Sequence, residues 1–199
     1  MERIFTWFMI GSTLQFFFRS SKNDEVVVRK PTIEDANEIT NALQDKTIYN
    51  FIHSIPYPYT IDNAKEYIEF SNSQEKEHKL SNFTIVVNGV PCGMTGLMLD
   101  DPRHGELGYW LNNSYRGRGI VSTAVKHMII HGFEDLNLEQ IKLRIFKENI
   151  SSIRIMEKLG IPKYGMLEKE IFYHDKFWDI NIYVINSNEI ETYKKKWDL

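Results

Sequence analysis

A single cysteine, Cys92, is all that 199 residues provide. That excludes an intrachain disulfide and a cysteine-based metal site. Cys92 lies in the apolar run Val90 to Leu99, where a small buried hydrophobe is the expected role. A reducing, cytoplasmic setting follows as an expectation. A surplus of one charge is also missing. The formal net charge is −3, so the overall balance calls for no nucleic-acid partner. Repeats and low-complexity tracts are absent. No cluster of His, Cys and carboxylate residues has metal-ligand spacing, so no metal is expected. Nor does an Ala-x-Ala cleavage site follow the apolar N-terminal run, as a secretory signal would require.

What the chain does have is enough apolar mass for a core. Hydrophobic residues make up 42% and charged residues 26%, which fits one globular domain. Ile4 to Phe18 runs fifteen residues without a charge. It is too short for a comfortable transmembrane helix. A strand or helix packed on the domain is the first expectation. Membrane contact through residues 4–18 and a misplaced start codon are the alternatives. The expected organisation is an apolar extension over 1–24 and a single domain over 25–199.

Periodicity sets out the elements. Glu25 to Arg29 reads as a strand. Thr32 caps a helix carrying Ile33, Ala36, Ile39 and Leu43 on one face. A loop dense in aromatics and proline runs from Lys46 to Tyr59. Thr60 caps a second helix with Ala64, Tyr67 and Ile68 on one side, and Ser71 to Lys79 reads as a polar linker. Asn88-Gly89 joins two strands, Phe83 to Val87 and Pro91 to Leu99, in a tight hairpin. Asp100 to Gly105 is a turn before the strand Glu106 to Leu111. A helix follows from Ile120 to His131. Gln140 to Lys147 alternates, with Ile141, Leu143 and Ile145 opposite Lys142, Arg144 and Phe146. Ser151 to Leu159 is a short helix that Gly160 ends. Two strands, Tyr164 to Phe172 and Phe177 to Ile185, turn at His174-Asp175, and Ser187 to Trp197 forms a last helix. The pattern predicts an α/β chain with a mixed sheet flanked by helices.

The richest segment is Tyr115-Arg116-Gly117-Arg118-Gly119-Ile120-Val121. A strand that ends in a Gly/Arg turn and opens a helix gathers unpaired backbone N–H groups at the positive end of the helix dipole. Such a corner receives phosphate. It is neither a Walker loop nor a dinucleotide fingerprint, because the required lysine spacing and the third glycine are lacking. About thirty residues on stands Asn149-Ile-Ser-Ser152-Ile-Arg154-Ile-Met156-Glu157-Lys-Leu159-Gly160.

Together the two motifs resemble the GNAT superfamily of acyl-CoA-dependent N-acetyltransferases. Ile55-Pro-Tyr-Pro-Tyr-Thr60 and Glu106-Leu-Gly-Tyr-Trp-Leu111 are similar to the RimJ/RimL branch, whose type members acetylate the N-termini of ribosomal proteins. The resemblance spans Val26 to Ile185. It implies acetyl-CoA as co-substrate, with main-chain groups of Arg116, Gly117, Arg118, Gly119, Ile120 and Val121 on the diphosphate. Val121 is bulkier than the Gly or Ala frequent there. Leu111, at the end of its strand, would lie near the thioester carbonyl, and the Asn149 amide would bind the pantetheine arm. Tyr49, Phe51 and Tyr57 of the aromatic loop, with Tyr109, would face the acceptor.

Acetyl transfer to an amine also needs a base and an acid. Glu106 is the candidate base, set in an otherwise apolar strand, and a water chain is the alternative. Strand-end pairing with Arg103, Arg116 or solvent is its plain structural role. The tyrosine acid common in the superfamily is absent, since Met156 stands in its place. Ser152 is the candidate acid, or else a cap or pantetheine contact. At pH 7 roughly 10% of a free α-amine is neutral, against about 0.04% of a lysine. An N-terminus therefore needs less help. The expected acceptor is a protein N-terminal α-amine. A small-molecule amine (polyamine, amino acid or antibiotic) and a non-catalytic acyl-CoA-binding module are the other readings. Either a monomer or a homodimer is consistent with the sequence.

Overall fold

The computed structural model describes residues 7–10 and 13–199, with side chains from Leu14 onward except that of Asp100. Residues 4–6, 11 and 12 of the apolar run lie outside the described residues. The elements, in chain order, are β1 Trp7–Ile10, β2 Thr13–Arg19, β3 Glu25–Arg29, α1 Ala36–Ala42, α2 Lys46–Tyr49, α3 Ile61–Lys76, β4 Leu80–Val87, β5 Val90–Asp101, β6 His104–Leu111, α4 Ile120–Glu134, β7 Gln140–Phe146, α5 Ile150–Leu159, β8 Lys163–Tyr173, β9 Lys176–Asn186 and α6 Ile190–Trp197. This is the mixed α/β architecture expected. The chain divides into two compact units. One runs to Gly96 and adds Tyr109–Ala124, and the other holds Leu97–Gly108 and Val125–Leu199. β5, β6 and α4 each contribute to both.

In the first unit the strands follow the order β1-β2-β3-β4-β5-β6. The N-terminal run therefore supplies strands. β2 lies antiparallel to β3, with Phe16 opposite Val28 and Phe18 opposite Val26. β3 pairs antiparallel with β4, which sets Val28 against Ile85 and Val26 against Val87. Strand side chains alternate between faces, so Phe16, Phe18, Val26, Val28, Ile85 and Val87 share one face, and all six are buried. Each buried Phe contributes about 1.5–3 kcal/mol. Among the described residues no helix is long and apolar enough to cross a membrane.

Helices α1 and α3 pack a cluster of Ala36, Ile39, Leu43, Ala64 and Ile68 with Ile48, Tyr59 and Met94. Ile33 and Tyr67, expected on those faces, are 43% and 38% exposed. The Tyr67 hydroxyl instead accepts from Asn82 Nδ2 at 3.1 Å. Thr60 and Asn63 form a reciprocal capping box at the start of α3. The helix runs on to Lys76, so the expected linker over Ser71–Lys79 is mostly helix. Ser71 is buried, and its hydroxyl accepts from Asn82 at 3.2 Å. The Asp35 carboxylate receives Arg29 through two bonds of 2.7 and 2.8 Å, with Thr84 Oγ1 at 3.2 Å. That pair fastens β3 to the head of α1.

In the second unit the order is β5-β6-β7-β9-β8. β6 and β7 pair in parallel, with Glu106 opposite Lys142. The turn expected over Asp100–Gly105 shrinks to Pro102 and Arg103. Ile141, Leu143 and Ile145 of β7 are buried as the alternation predicts, and Phe146 is buried too, its ring edge-on to Trp178 at 5.4 Å. Gly160 ends α5 in the left-handed conformation. β8 is the outermost strand, exposed along most of its length. Between Leu167 and Ile171 its register with β9 slips, and Lys169 sits there at φ 52°.

Candidate active site

The Gly/Arg corner is built in the first unit. Strand β6 ends at buried Leu111, against β5. A Cβ on Gly93 would come within 2.6 Å of Trp110 O and 2.9 Å of Leu111 Cδ1, so only glycine permits that approach. The Asn112 N–H donates to Cys92 O at 2.8 Å. Its side-chain oxygen accepts from Ser114 N–H at 2.9 Å and starts the single 3-10 turn Asn113–Tyr115. Burial pushes the Cys92 thiol up to about 12, which fits a packing role and no thiolate chemistry.

Beyond that turn, Gly117 and Gly119 take φ +73° and +77°. A Cβ at either would meet nothing within 4 Å. Their backbone therefore borders open space, and glycine is required here for conformation alone. α4 begins at Ile120, whose buried side chain anchors the first turn. Thr123 N–H is bonded to Gly119 O at 3.1 Å. The N–H groups of Gly119, Ile120, Val121 and Ser122 precede it and have no intrahelical partner. Half-buried Val121 keeps its N–H at this helix start.

The two arginines differ. Arg116 Nε donates to Leu111 O at 3.3 Å, which folds its side chain back along the strand end. Arg118 Nη2 donates to Ser114 O at 2.7 Å and Nη1 to Asp24 at 3.1 and 3.3 Å. The Arg118 side chain is thus committed within the protein, and its contribution to the corner is its main chain. Asp24 carried no sequence signal as its partner, being 94 residues away. In the same unit the rings of Tyr49 and Tyr57 meet with centroids 4.6 Å apart and planes tilted by 36°. Tyr57 is exposed, while Phe51 and Tyr109 are half-buried.

The second unit holds Glu106, Asn149 and Ser152. The Glu106 side chain is 25% exposed, with Lys142 Nζ 3.7 Å from Oε2. Its ion-pair partner comes from the neighbouring strand β7 and is none of those anticipated. Parallel pairing across a helical crossover brings the lysine there, beyond the reach of local pattern. Asn149 is the N-cap of α5, and its Oδ1 accepts from Ser152 N–H at 3.2 Å and Ser151 Oγ at 2.8 Å. The structural role open to Asn149 is thus filled by one atom of its amide. Ser152 is half-buried one turn in, and Met156 is fully buried. A cleft of about 570 Å³ lies along the far part of α5, lined by Ile153, Glu157, Lys163 and Tyr183. It takes in none of the expected site residues.

The donor set at the corner is four helix-start N–H groups beside two bare glycines. It is chemically suited to an anion such as a diphosphate. Comparison with known proteins agrees in kind. Residues 25–161 match a family model described as an acetyltransferase (GNAT) domain. An uncharacterized N-acetyltransferase, p20 of Bacillus licheniformis, is 28% identical over 148 residues, covering 72% of this chain and 83% of that protein. The ribosomal-protein-serine acetyltransferase of Escherichia coli (strain K12) is 31% identical over 78 residues, 39% of this chain and 44% of that one. Among solved structures, Mycobacterium smegmatis RimJ in complex with CoA-disulfide superposes with a TM-score of 0.81 at 15% identity, covering 92% of this chain and 93% of that one.

Proposed function

The chain belongs to the GNAT acetyltransferase family and is an acetyl-CoA-dependent N-acetyltransferase; from that premise we propose that it acetylates the N-terminal α-amine of a protein, of the ribosomal-protein type. The observation that carries the donor half is the corner itself, with two left-handed glycines bordering open space and the first N–H groups of a fifteen-residue helix beside them. These groups hold the diphosphate of acetyl-CoA. Arg116 adds positive charge beside them. Asn149 Nδ2 reaches the amides of the pantetheine arm while Oδ1 keeps its helix cap. Leu111 sits at the thioester. Transfer is direct, in a ternary complex, and the chain's own groups handle the protons.

Glu106, or a water chain beside it, receives the proton of the amine, and Ser152 donates one to the departing sulfur. The acceptor choice is supported by the chemistry of the amine itself. An α-amine, with a pKa near 8, requires little deprotonation, whereas a lysine, near 10.4, requires much. The likeness over 78 residues to a ribosomal-protein-serine acetyltransferase points the same way. Tyr49, Phe51, Tyr57 and Tyr109 contact the acceptor peptide.

A screen with labelled acetyl donor tests the acceptor. Peptides beginning Ala, Ser or Met are expected to take label ahead of polyamines and aminoglycosides. Label on a polyamine or an aminoglycoside with every peptide silent would overturn the acceptor assignment.

A further inference from the structure

Residues 20–24, the turn between β2 and β3, precede the part of the chain that the family model matches. Within the first unit this turn grips the Gly117-Arg118-Gly119 segment at its middle residue. Ser21 N–H donates to Arg118 O at 3.0 Å. Arg118 Nη1 donates to both oxygens of Asp24, at 3.1 and 3.3 Å. The Asp24 side chain is 12% exposed. It also accepts from Ser20 Oγ at 2.6 Å and from Asn88 Nδ2 at 3.1 Å. The Ser20 hydroxyl accepts in turn from the N–H groups of Lys22 and Asp24, each at 3.1 Å. The carboxylate is therefore held by two donors before Arg118 reaches it.

Two glycines in succession around one residue leave a loop with little of its own to fix it, since neither has a side chain and both have wide backbone freedom. What remains is Arg118. Its carbonyl and its guanidinium are both secured, and on opposite ends, by Ser21 and Asp24. Charge-assisted bonds of this kind are stronger than neutral ones, and partial burial protects them from screening. A loop fixed before its ligand arrives loses less freedom on binding. We infer that Ser21 and Asp24 are positioning residues for the acetyl-CoA turn, so that the N-terminal extension is a working part of the donor site. This rests on the reading that the turn holds the diphosphate.

The test compares acetyl-CoA affinity by calorimetry, and steady-state constants for donor and acceptor, in wild type, Asp24→Asn, Arg118→Met, the double variant and Gly119→Ala. Asp24→Asn should weaken acetyl-CoA binding and raise its KM by about tenfold, as for the loss of one charge-assisted contact. The kcat and the acceptor KM should stay unchanged. Arg118→Met should weaken acetyl-CoA binding by a similar factor, and the double variant should bind it no worse than either single one. Wild-type affinity in Asp24→Asn, with Gly119→Ala still deficient, would overturn the positioning role and leave the donor-turn reading intact. Parallel losses in kcat and both KM values would also overturn it, since those mark general damage. Failure of wild type to bind acetyl-CoA, or normal binding by Gly119→Ala, would remove both readings. Should Asp24→Asn not fold, Ser20→Ala loosens the same carboxylate. It should raise the acetyl-CoA KM alone, and an unchanged KM would overturn the inference.

Discussion

Consider replacing Gly119 by alanine. The residue sits at φ +77°, a conformation that costs an L-residue about 1–2 kcal/mol. A Cβ there meets nothing within 4 Å, so no clash adds to that. For a domain of this size each kcal/mol moves the melting midpoint by roughly 2–4 °C. The free variant should therefore melt about 2–8 °C lower. Acetyl-CoA at ~100 times its Kd stabilises wild type by about 2.7 kcal/mol, a rise of roughly 5–11 °C. In the variant the new methyl stands in the open space beside the helix-start N–H groups. Phosphate oxygens must come within about 2.9 Å of those nitrogens, and the methyl holds them off. The ligand-dependent rise should largely vanish. Gly89→Ala is the control. Gly89, in the β4–β5 turn, has φ +83° and is equally uncrowded, so the free protein should lose similar stability yet keep the whole rise. Differential scanning fluorimetry with and without acetyl-CoA reads both. A full rise in Gly119→Ala, or its loss in Gly89→Ala, would refute the diphosphate reading of the corner.

Glu106→Gln and Ser152→Ala should each lower kcat while acetyl-CoA affinity, measured by calorimetry, stays close to wild type; two normal turnover numbers would dismiss both proton-transfer roles. Asp35→Ala removes the partner of Arg29 from a site where the carboxylate side chain is 2% exposed. Breaking such a pair costs about 3–5 kcal/mol, visible as a lower urea midpoint, and a change under ~1 kcal/mol would contradict the burial argument. Burial, helped by Lys126, holds His127 down to about 4, against an ordinary value near 6.5. The folded state therefore favours the neutral ring. Its contribution is complete above about pH 6.5 and is lost as the pH falls towards 4, by up to ~3 kcal/mol. Urea melts across that window should show a slope that shrinks in His127→Gln; equal slopes in the two proteins would rule the histidine out as its source.

Much of this could be read from the residues because the signals were local. Asn88-Gly89 marked a hairpin, and both residues do take positive φ, at 49° and 83°. Thr60 marked a helix start, and its capping box is present. Gly160 marked an end and adopts the left-handed conformation for it. The Gly/Arg corner needed only strand, turn and helix in sequence. What escaped was set by distant parts of the chain. Ser71 looked like linker because it is polar, but Asn82 gives its hydroxyl a buried partner. The apolar run before residue 19 had no period to separate strand from helix. Only pairing with β3 decides it. Lys142 reaches Glu106 through parallel register, and Asp24 reaches Arg118 across 94 residues of chain, neither foreshadowed by spacing.

The slipped stretch of β8 bears on how the molecule behaves in a crowded solution. An outermost strand of eleven residues offers unpaired peptide groups to any other chain, and a long flat margin of that sort invites further strands to add on. Here the margin is broken near its middle by an extra loop of backbone, where Glu168, Lys169 and Glu170 follow one another. The break shortens the run that could seed a ladder on the margin where Tyr164 and Phe172 lie open to water.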